Sequence, residues 1–592
     1  MKKPLTDEDL LERAAIDGRV AFALAAFALG AGLVALLDRL GVPERLVAIL
    51  APVATATGLA TVGLLVGSMR ISRFYAAGRA VPGYYAGLAL ASLGAGLFLP
   101  FAPPVPAGTS MRGLLTGFGI GFLLAALVVG PFLRKTGAFS IPDLIAARFP
   151  NLALRLGVVA VVGAVGLLVG LAGYETAVRA LLQTSGANRL SATVLTGLVL
   201  MLIIVPGGLT GVVWTATGAA GIFIAAFALP MILLASRGTP LPFPILGDEA
   251  LWSLALARMG EWHAITQSPG DPMGLALVAA IAIGVAVLAP LLSPAMTCRD
   301  GSSARLAGLA GTAWIIVLGA LVAATMALAS MSLDQRMTGQ RPDRLPDFVY
   351  AASAKGLVSI CGEQVATQAA ALEACRKTPG FNNVLRAEDY VASGAWLTVG
   401  LPASRGLSVA FSGLVGAALT SIAMMIAAAG FQIVGTALGH DAFYRVRDSS
   451  ALTSRRLAIT RFVLIVAILG CGALVQSVSL DPRALIGLAI AFSAAALAPL
   501  LALSLWPRAA GADATIALLV GLATAEIVIV LGGGTPSVER MALSSIAGGI
   551  AACVSGFVTS LFRPGGPESQ GGAFVHGVLH GDQDVLNPDK GA

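Results

Sequence analysis

Long apolar runs, separated by short clusters of charged residues, recur from about residue 20 to residue 561. A helix crosses a ~30 Å hydrocarbon core with about twenty apolar residues, and the pattern predicts fourteen such helices. Two come first, at 20–37 and 47–69. Five follow at 84–104, 113–133, 156–182, 190–205 and 209–235. Five more lie at 273–292, 306–331, 406–438, 457–478 and 485–505, and two close the series at 514–530 and 541–561. Two longer polar stretches interrupt them, at 236–272 and 332–405. Residues 1–19 precede the first run, and 562–592, rich in Gly and polar residues, reads as a disordered tail.

Composition agrees with a polytopic all-α membrane protein. Apolar residues make up 57% of the chain and charged residues 12%, against about a quarter charged in a soluble domain. Mean hydropathy is +0.86. The formal charge of +7 does not imply nucleic acid, because Lys and Arg sit in short loops between spans, where they set orientation. With the N-terminus cytoplasmic, the inside loops hold Arg70, Arg73 and Arg79, then Arg134, Lys135, Arg148 and Arg155, then Arg299 and Arg305, then Arg445, Arg447, Arg455 and Arg456. The short outside loops carry far fewer. Both termini are then cytoplasmic, both long loops lie outside, and a bacterial inner membrane is the expected location. Residues 1–18 carry five acidic residues and no small-residue cleavage site, so no cleavable signal is expected there.

Cys361 and Cys375 fall in the outside loop 332–405, where an oxidising compartment favours a disulfide. Cys298, Cys471 and Cys553 lie in or beside spans and read as packing residues. His576 and His580 have the i, i+4 spacing of a metal pair but no acid between them, so no metal other than a transported ion is expected.

Two spans contain helix-breaking residues at corresponding places. The span at 84–104 holds Gly94-Ala95-Gly96 before Pro100, Pro103 and Pro104, and the one at 273–292 holds Pro290, with Pro294 just beyond. Proline removes a backbone donor and clashes with the preceding turn. Freed polar groups are tolerated at membrane depth only where protein or a water-filled cavity satisfies them. Each interrupted span opens a set of five, 84–235 and 273–505. Five is odd, so the second set crosses in the opposite sense. Paired broken helices opening two inverted repeats point to a midplane site in a secondary transporter.

Within the span at 406–438, Ala417, Thr420 and Ser421 stand at i, i+3 and i+4 and share one face. Two hydroxyls there either bond back to the preceding turn or supply the oxygen ligands that hard cations prefer. Glu175 and Arg179 form an i, i+4 pair in the favourable order, read as a structural ion pair or as a guide for a carboxylate entering from outside. Glu526 reads as a packing or oligomer contact.

Several stretches resemble the sodium:solute symporter family in family order. They are Phe74-Tyr75-Ala76-Ala77-Gly78-Arg79-Ala80-Val81-Pro82, Arg134-Lys135-Thr136-Gly137 with Ser140-Ile141-Pro142-Asp143-Leu144 and Arg148-Phe149, Gly207-Gly208-Leu209 with Val213-Trp214-Thr215, and Ala417 to Ser421 followed by Ala437-Leu438-Gly439-His440-Asp441-Ala442-Phe443-Tyr444. Gly87-Leu88-Ala89-Leu90-Ala91 resembles the acetate and monocarboxylate permease branch. The resemblance implies a leucine-transporter-type core of five plus five inverted helices. It also implies a sodium site joining carbonyls of Ser92 and Ala95 on the first core helix to Ala417, Thr420 and Ser421 on the eighth. Leu93, Gly94, Gly96, Trp214 and Pro290 would line the solute site.

Departures from the family pattern are equally specific. Relatives follow the Trp-Thr pair of the fifth core helix with an acid and then a glutamine, where this chain has Ala216 and Ala219. The sixth core helix reads Leu288-Ala289-Pro290-Leu291-Leu292, without the His or Gln that relatives place there. Two functions follow: sodium-coupled symport of a small organic solute such as acetate, or a membrane solute sensor or uncoupled relative acting with a partner protein. The partners implied are the lipid bilayer, Na+ and a small solute. No nucleotide loop, metal-ligand cluster or catalytic triad points to an enzyme.

Overall fold

The computed structural model describes residues 7–101, 111–235, 272–531 and 538–562, together with 253, 574 and 577. The loop expected at 236–272, apart from 253 and 272, lies outside the described residues, as do Pro103, Pro104 and both tail histidines.

The apolar runs form helices. α1 is Asp7–Arg39 and α2 Glu44–Leu65; a short helix, Ile71–Ala76, precedes α3, Gly83–Phe98. α4 (Met111–Leu124) continues through a π turn, Ala125–Val129, into Gly130–Thr136. α5 is Leu152–Ser185, α6 Arg189–Ala235, α7 Pro272–Ala286, α8 Ala289–Met296 and α9 Gly301–Met337. α10, Val409–Gly435, passes into a π-helix, Thr436–Arg447. α11 is Thr453–Ser477 and α12 Pro482–Phe492, which runs on through a π turn to Ser504. α13 (Gly511–Leu531) and α14 (Val538–Leu561) complete the set.

Helix starts are set by side chains that take up otherwise unpaired amides. Asn151 accepts from the amides of Ala153 and Leu154 ahead of α5, Asp300 from Ser303 ahead of α9, Ser408 from Ala410 ahead of α10, and Asp481 from Arg483 ahead of α12.

α6 cannot be one straight span. Its 45 residues at Arg189–Leu233 would run about 68 Å at 1.5 Å per residue, twice the hydrocarbon thickness. Gly208, at φ 54° and ψ −140°, reverses it. A Cβ on Gly211 would lie 2.5 Å or less from the carbonyl oxygen of Ile203 (2.4 Å), a proximity that eight residues of straight helix exclude. α6 is therefore a hairpin of the predicted runs at 190–205 and 209–235. Among the described residues, eleven helices can cross a membrane by length and composition, twelve with the bent pair α7–α8 taken as one. The expected fourteen further requires Ile49–Leu65 to span and the α6 hairpin to count twice.

α10 is the axis of the bundle. The most apolar window of Val409–Arg447 is 100% buried, against 6% for the outlying α1. A helix that is apolar all round belongs inside the protein, and this places Thr420, Ser421 and Gln432 at the centre.

The segment 332–405 folds as a small lobe. Short helices Asp347–Ala354 and Gln368–Arg376 accompany strands β1 (Val358–Ile360) and β2 (Tyr390–Ala392), antiparallel with Val358 opposite Ala392. Cys361 and Cys375 are joined by a disulfide. The Tyr390 hydroxyl donates to Asp334 on α9, and the Lys355 ammonium donates to the Gln183 carbonyl on α5 at 3.2 Å. A cross-link closing a loop of about 15 residues contributes about 3 kcal/mol. The double change Cys361→Ser/Cys375→Ser is expected to speed amide exchange within the lobe while leaving the helical bundle unchanged. Thiol reagents should label neither cysteine before reduction; labelling of both in unreduced protein would refute the bond.

Candidate functional site

The two hydroxyls of α10 are buried, Thr420 at 2% and Ser421 at 1% exposure. Thr420 Oγ1 donates to the Gly416 carbonyl at 2.8 Å and Ser421 Oγ to the Ala417 carbonyl at 2.6 Å. Each spends its proton in the preceding turn and keeps its acceptor lone pairs. The hydroxyls bond backwards, as one of the two sequence readings expected, and their acceptor lone pairs stay open.

α3 crosses α10 beside this pair. A Cβ on Gly96 would lie 2.5 Å from the Ile422 carbonyl oxygen. Gly96 follows Ala95, and Ile422 follows Ser421, so the two predicted halves of the ion set lie on helices in contact. Ser92 is fully buried and its hydroxyl has no hydrogen-bond partner among the described residues. The sequence reading assigned only its carbonyl; the unpartnered hydroxyl adds a further oxygen.

The expected break in this helix is corrected. α3 is continuous helix through Gly94-Ala95-Gly96, and the Ala95 carbonyl accepts from the Leu99 amide. The glycines serve close packing. A Cβ on Gly94 would lie 2.5 Å from the Phe122 ring, as one on Gly96 would from Ile422. Irregular backbone begins only at Leu99–Phe101, where the Pro100 carbonyl accepts from Arg483 Nε at 2.8 Å.

The other expected break is present. α7 and α8 meet at 42° across Val287 and Leu288. Pro290 has no amide to offer the carbonyl four residues earlier, at Ala286, where α7 ends. Pro294 likewise leaves the Pro290 carbonyl to the Ser293 hydroxyl, at 2.8 Å.

A small cavity of about 30 Å3, partly open to solvent, lies toward the arginine-rich loops. Its polar walls are Tyr75, Ser140, Ser293, Gln432, Thr436 and Asp441. Leu93, Gly94, Gly96, Trp214 and Pro290, expected to line the solute site, are not among its walls, although Ala289 and Leu292 beside Pro290 are. Leu93 is fully buried, and Trp214 packs with its ring 5.6 Å from that of Tyr85. The Tyr75 hydroxyl lies 2.6 Å from Thr460 Oγ1, and burial, outweighing that hydrogen bond, pushes its phenol up to about 12. It therefore stays neutral at any physiological pH.

Glu175 is fully buried, and the structure adds a partner the sequence reading missed. Its two oxygens accept from Arg179 Nε at 2.7 Å and from Arg189 Nη2 at 2.8 Å. Arg179 also donates to the Leu480 carbonyl, and Arg189 Nε to the Val475 carbonyl at 2.8 Å. The cluster ties α5, α6 and α11 to the link before α12. Arg189 follows a short loop, outside the window in which helical spacing is diagnostic. Glu526 is exposed on α13.

The sodium:solute symporter family model matches residues 74–336. Over those residues the chain is similar to the sodium:solute symporter family. It is 34% identical over 95 residues to an uncharacterized symporter of Cupriavidus necator, a match spanning 16% of this chain and 14% of that relative's length. Its fold is similar to that of a Na+-coupled sialic acid symporter in a substrate-bound, outward-open state. That comparison has a TM-score of 0.61 and 17% identity, and covers 88% of this chain and 99% of the other. The fold shared with that symporter is the five-plus-five helical core, with additional helices at each end. Ala216 and Ala219 are fully buried, and their methyl groups offer no ligand.

Proposed function

We propose that this protein is a sodium-coupled symporter of a small organic solute, with a monocarboxylate such as acetate the leading candidate, working by alternating access in a bacterial inner membrane with both termini cytoplasmic. The observation that carries the reading is the buried oxygen set at the α3–α10 crossing: the lone pairs of Thr420 and Ser421 on one helix and the unpartnered Ser92 hydroxyl on the other. Neutral oxygens suit a transported ion, because they replace its hydration shell without the hold that a carboxylate would add. The carboxylate class is supported by the permease-like first core helix and by the fold neighbour, whose own solute is an acid.

One sodium carried inward with one monocarboxylate moves no net charge, so accumulation then rests on the sodium gradient; each further co-transported sodium adds about 2.3 kcal/mol across ~100 mV. Purified protein in liposomes should take up labelled acetate when an inward sodium gradient is imposed at fixed pH. A pH gradient at fixed sodium should not replace it. Equal uptake in choline would overturn the coupling, and solute binding without any uptake would favour the sensor.

A further inference from the structure

Gln432, Thr436 and Asp441 form one stripe at the arginine-rich end of α10. The helix is α down to Gly435 and π from Thr436 to Arg447. Neighbours on a face are four apart in the first pitch and five apart in the second. In continuous α-helix Asp441 would stand about 140° round from Thr436; the π pitch brings it beneath. All three residues line the cavity, together with Ser293 of α8.

Two of the three carry polar atoms with no hydrogen-bond partner among the described residues. Gln432 is 2% exposed, and neither its amide oxygen nor its nitrogen has a hydrogen bond among the described residues. Asp441 is fully buried; Oδ1 accepts from the Ser140 hydroxyl at 2.9 Å, while Oδ2 has no partner. Buried polar atoms are nearly always satisfied, so a whole amide and a carboxylate oxygen left open on one cavity point to a ligand. Thr436 Oγ1 donates to the Gln432 carbonyl at 2.9 Å and Ser293 Oγ to the Pro290 carbonyl, so both present free lone pairs.

The charge around the stripe selects the ligand class. Asp143, close by, is already engaged by Arg445 at 3.3 Å and Arg155 at 3.8 Å. His440 Nδ1 lies 3.0 Å from Arg456 Nη2. Arginine can only donate, so in the neutral ring Nε2 carries the proton and His440 offers no ligand atom. What remains is oxygen: the Asp441 carboxylate, with the neighbouring Asp143 carboxylate held by its two arginines. Divalent ions in protein cages draw on several carboxylates, and softer metals on imidazole or thiolate.

We propose that Asp441, Gln432, Thr436 and Ser293 form a second monovalent-cation site, at the arginine-rich mouth of the bundle. It stands eleven residues, about 16 Å, along α10 from Ser421. Its role as a station for the transported ion rests on the symport reading; its capacity to bind rests on this geometry alone.

The test measures the melting temperature of the full chain in lipid nanodiscs while NaCl replaces choline chloride at constant ionic strength. In a Thr420→Ala/Ser421→Ala background a sodium-dependent rise should remain. Adding Asp441→Asn, which keeps the shape and the Ser140 contact, should weaken its sodium affinity at least tenfold. Adding Gln432→Leu should do the same while leaving the sodium-free melting temperature equal or higher, since the amide loses no partner. An unchanged sodium response in both variants, or no residual response in the background, would overturn the site. Sodium-independent uptake by the wild type, with the residual response intact, would remove the symport reading and leave the site standing.

Discussion

Replacing Glu175 by Gln is expected to lower the stability of the helical bundle by about 3 kcal/mol. Removing one member of a buried ionic cluster typically costs 3–5 kcal/mol, because the remaining charge is left uncompensated. The low end applies, since Arg179 and Arg189 are 41% and 30% exposed and recover water when the carboxylate is lost. Arg189→Ala should cost more than Arg179→Ala: it is the less exposed, and it donates to carbonyls at both Val475 and Val478. Melting curves of purified variants read this directly. The same curves decide between the two sequence readings of Arg179. Its guanidinium is already committed to Glu175 and the Leu480 carbonyl, so Arg179→Ala should change stability and leave the apparent affinity for solute in the folded fraction unchanged. A weakened solute affinity at unchanged melting temperature would restore the guide role.

This cluster shows where the sequence stops being informative. The i, i+4 spacing of Glu175 and Arg179 was legible because helical geometry makes it so. Arg189 was not, because its approach depends on how the loop between α5 and α6 turns, and Gly186 at φ 65° sets that turn. The Gly94-Ala95-Gly96 segment failed for a different reason. A glycine that admits a neighbouring helix and one that frees a backbone break read alike along the chain; only the positions of Phe122 and Ile422 separate them. Proline is less ambiguous, since its missing amide is a local fact, and α7 ends at Ala286, four residues before Pro290. The cavity stripe was half legible. Asp441 stood in a family-like motif and Gln432 is a lone amide in an apolar helix, itself a sign of function at membrane depth, but their unpartnered atoms and the π pitch that aligns them emerge only in three dimensions.

The double change Thr420→Ala/Ser421→Ala is expected to raise the sodium concentration for half-maximal uptake by roughly two orders of magnitude. Each oxygen donor to a charged partner contributes about 1.5 kcal/mol at the low end, and about 3 kcal/mol for the pair corresponds to ~100-fold at 1.4 kcal/mol per decade. The fold should survive. Both hydroxyls bond only to their own preceding turn, an arrangement that adds little to helix stability, and Ala is the better helix former. The apparent affinity for solute should fall alongside, because coupling between two bound ligands is reciprocal. At saturating sodium the solute affinity should therefore recover toward the wild-type value. A structural role for the pair predicts the opposite combination, a lower melting temperature with unaltered sodium dependence in whatever folds. Ser92→Ala provides the cross-check from the facing helix. Its hydroxyl has no partner to lose, so the change should be neutral or stabilising for the sodium-free protein, and a rise in the sodium requirement there can come only from a lost ion ligand.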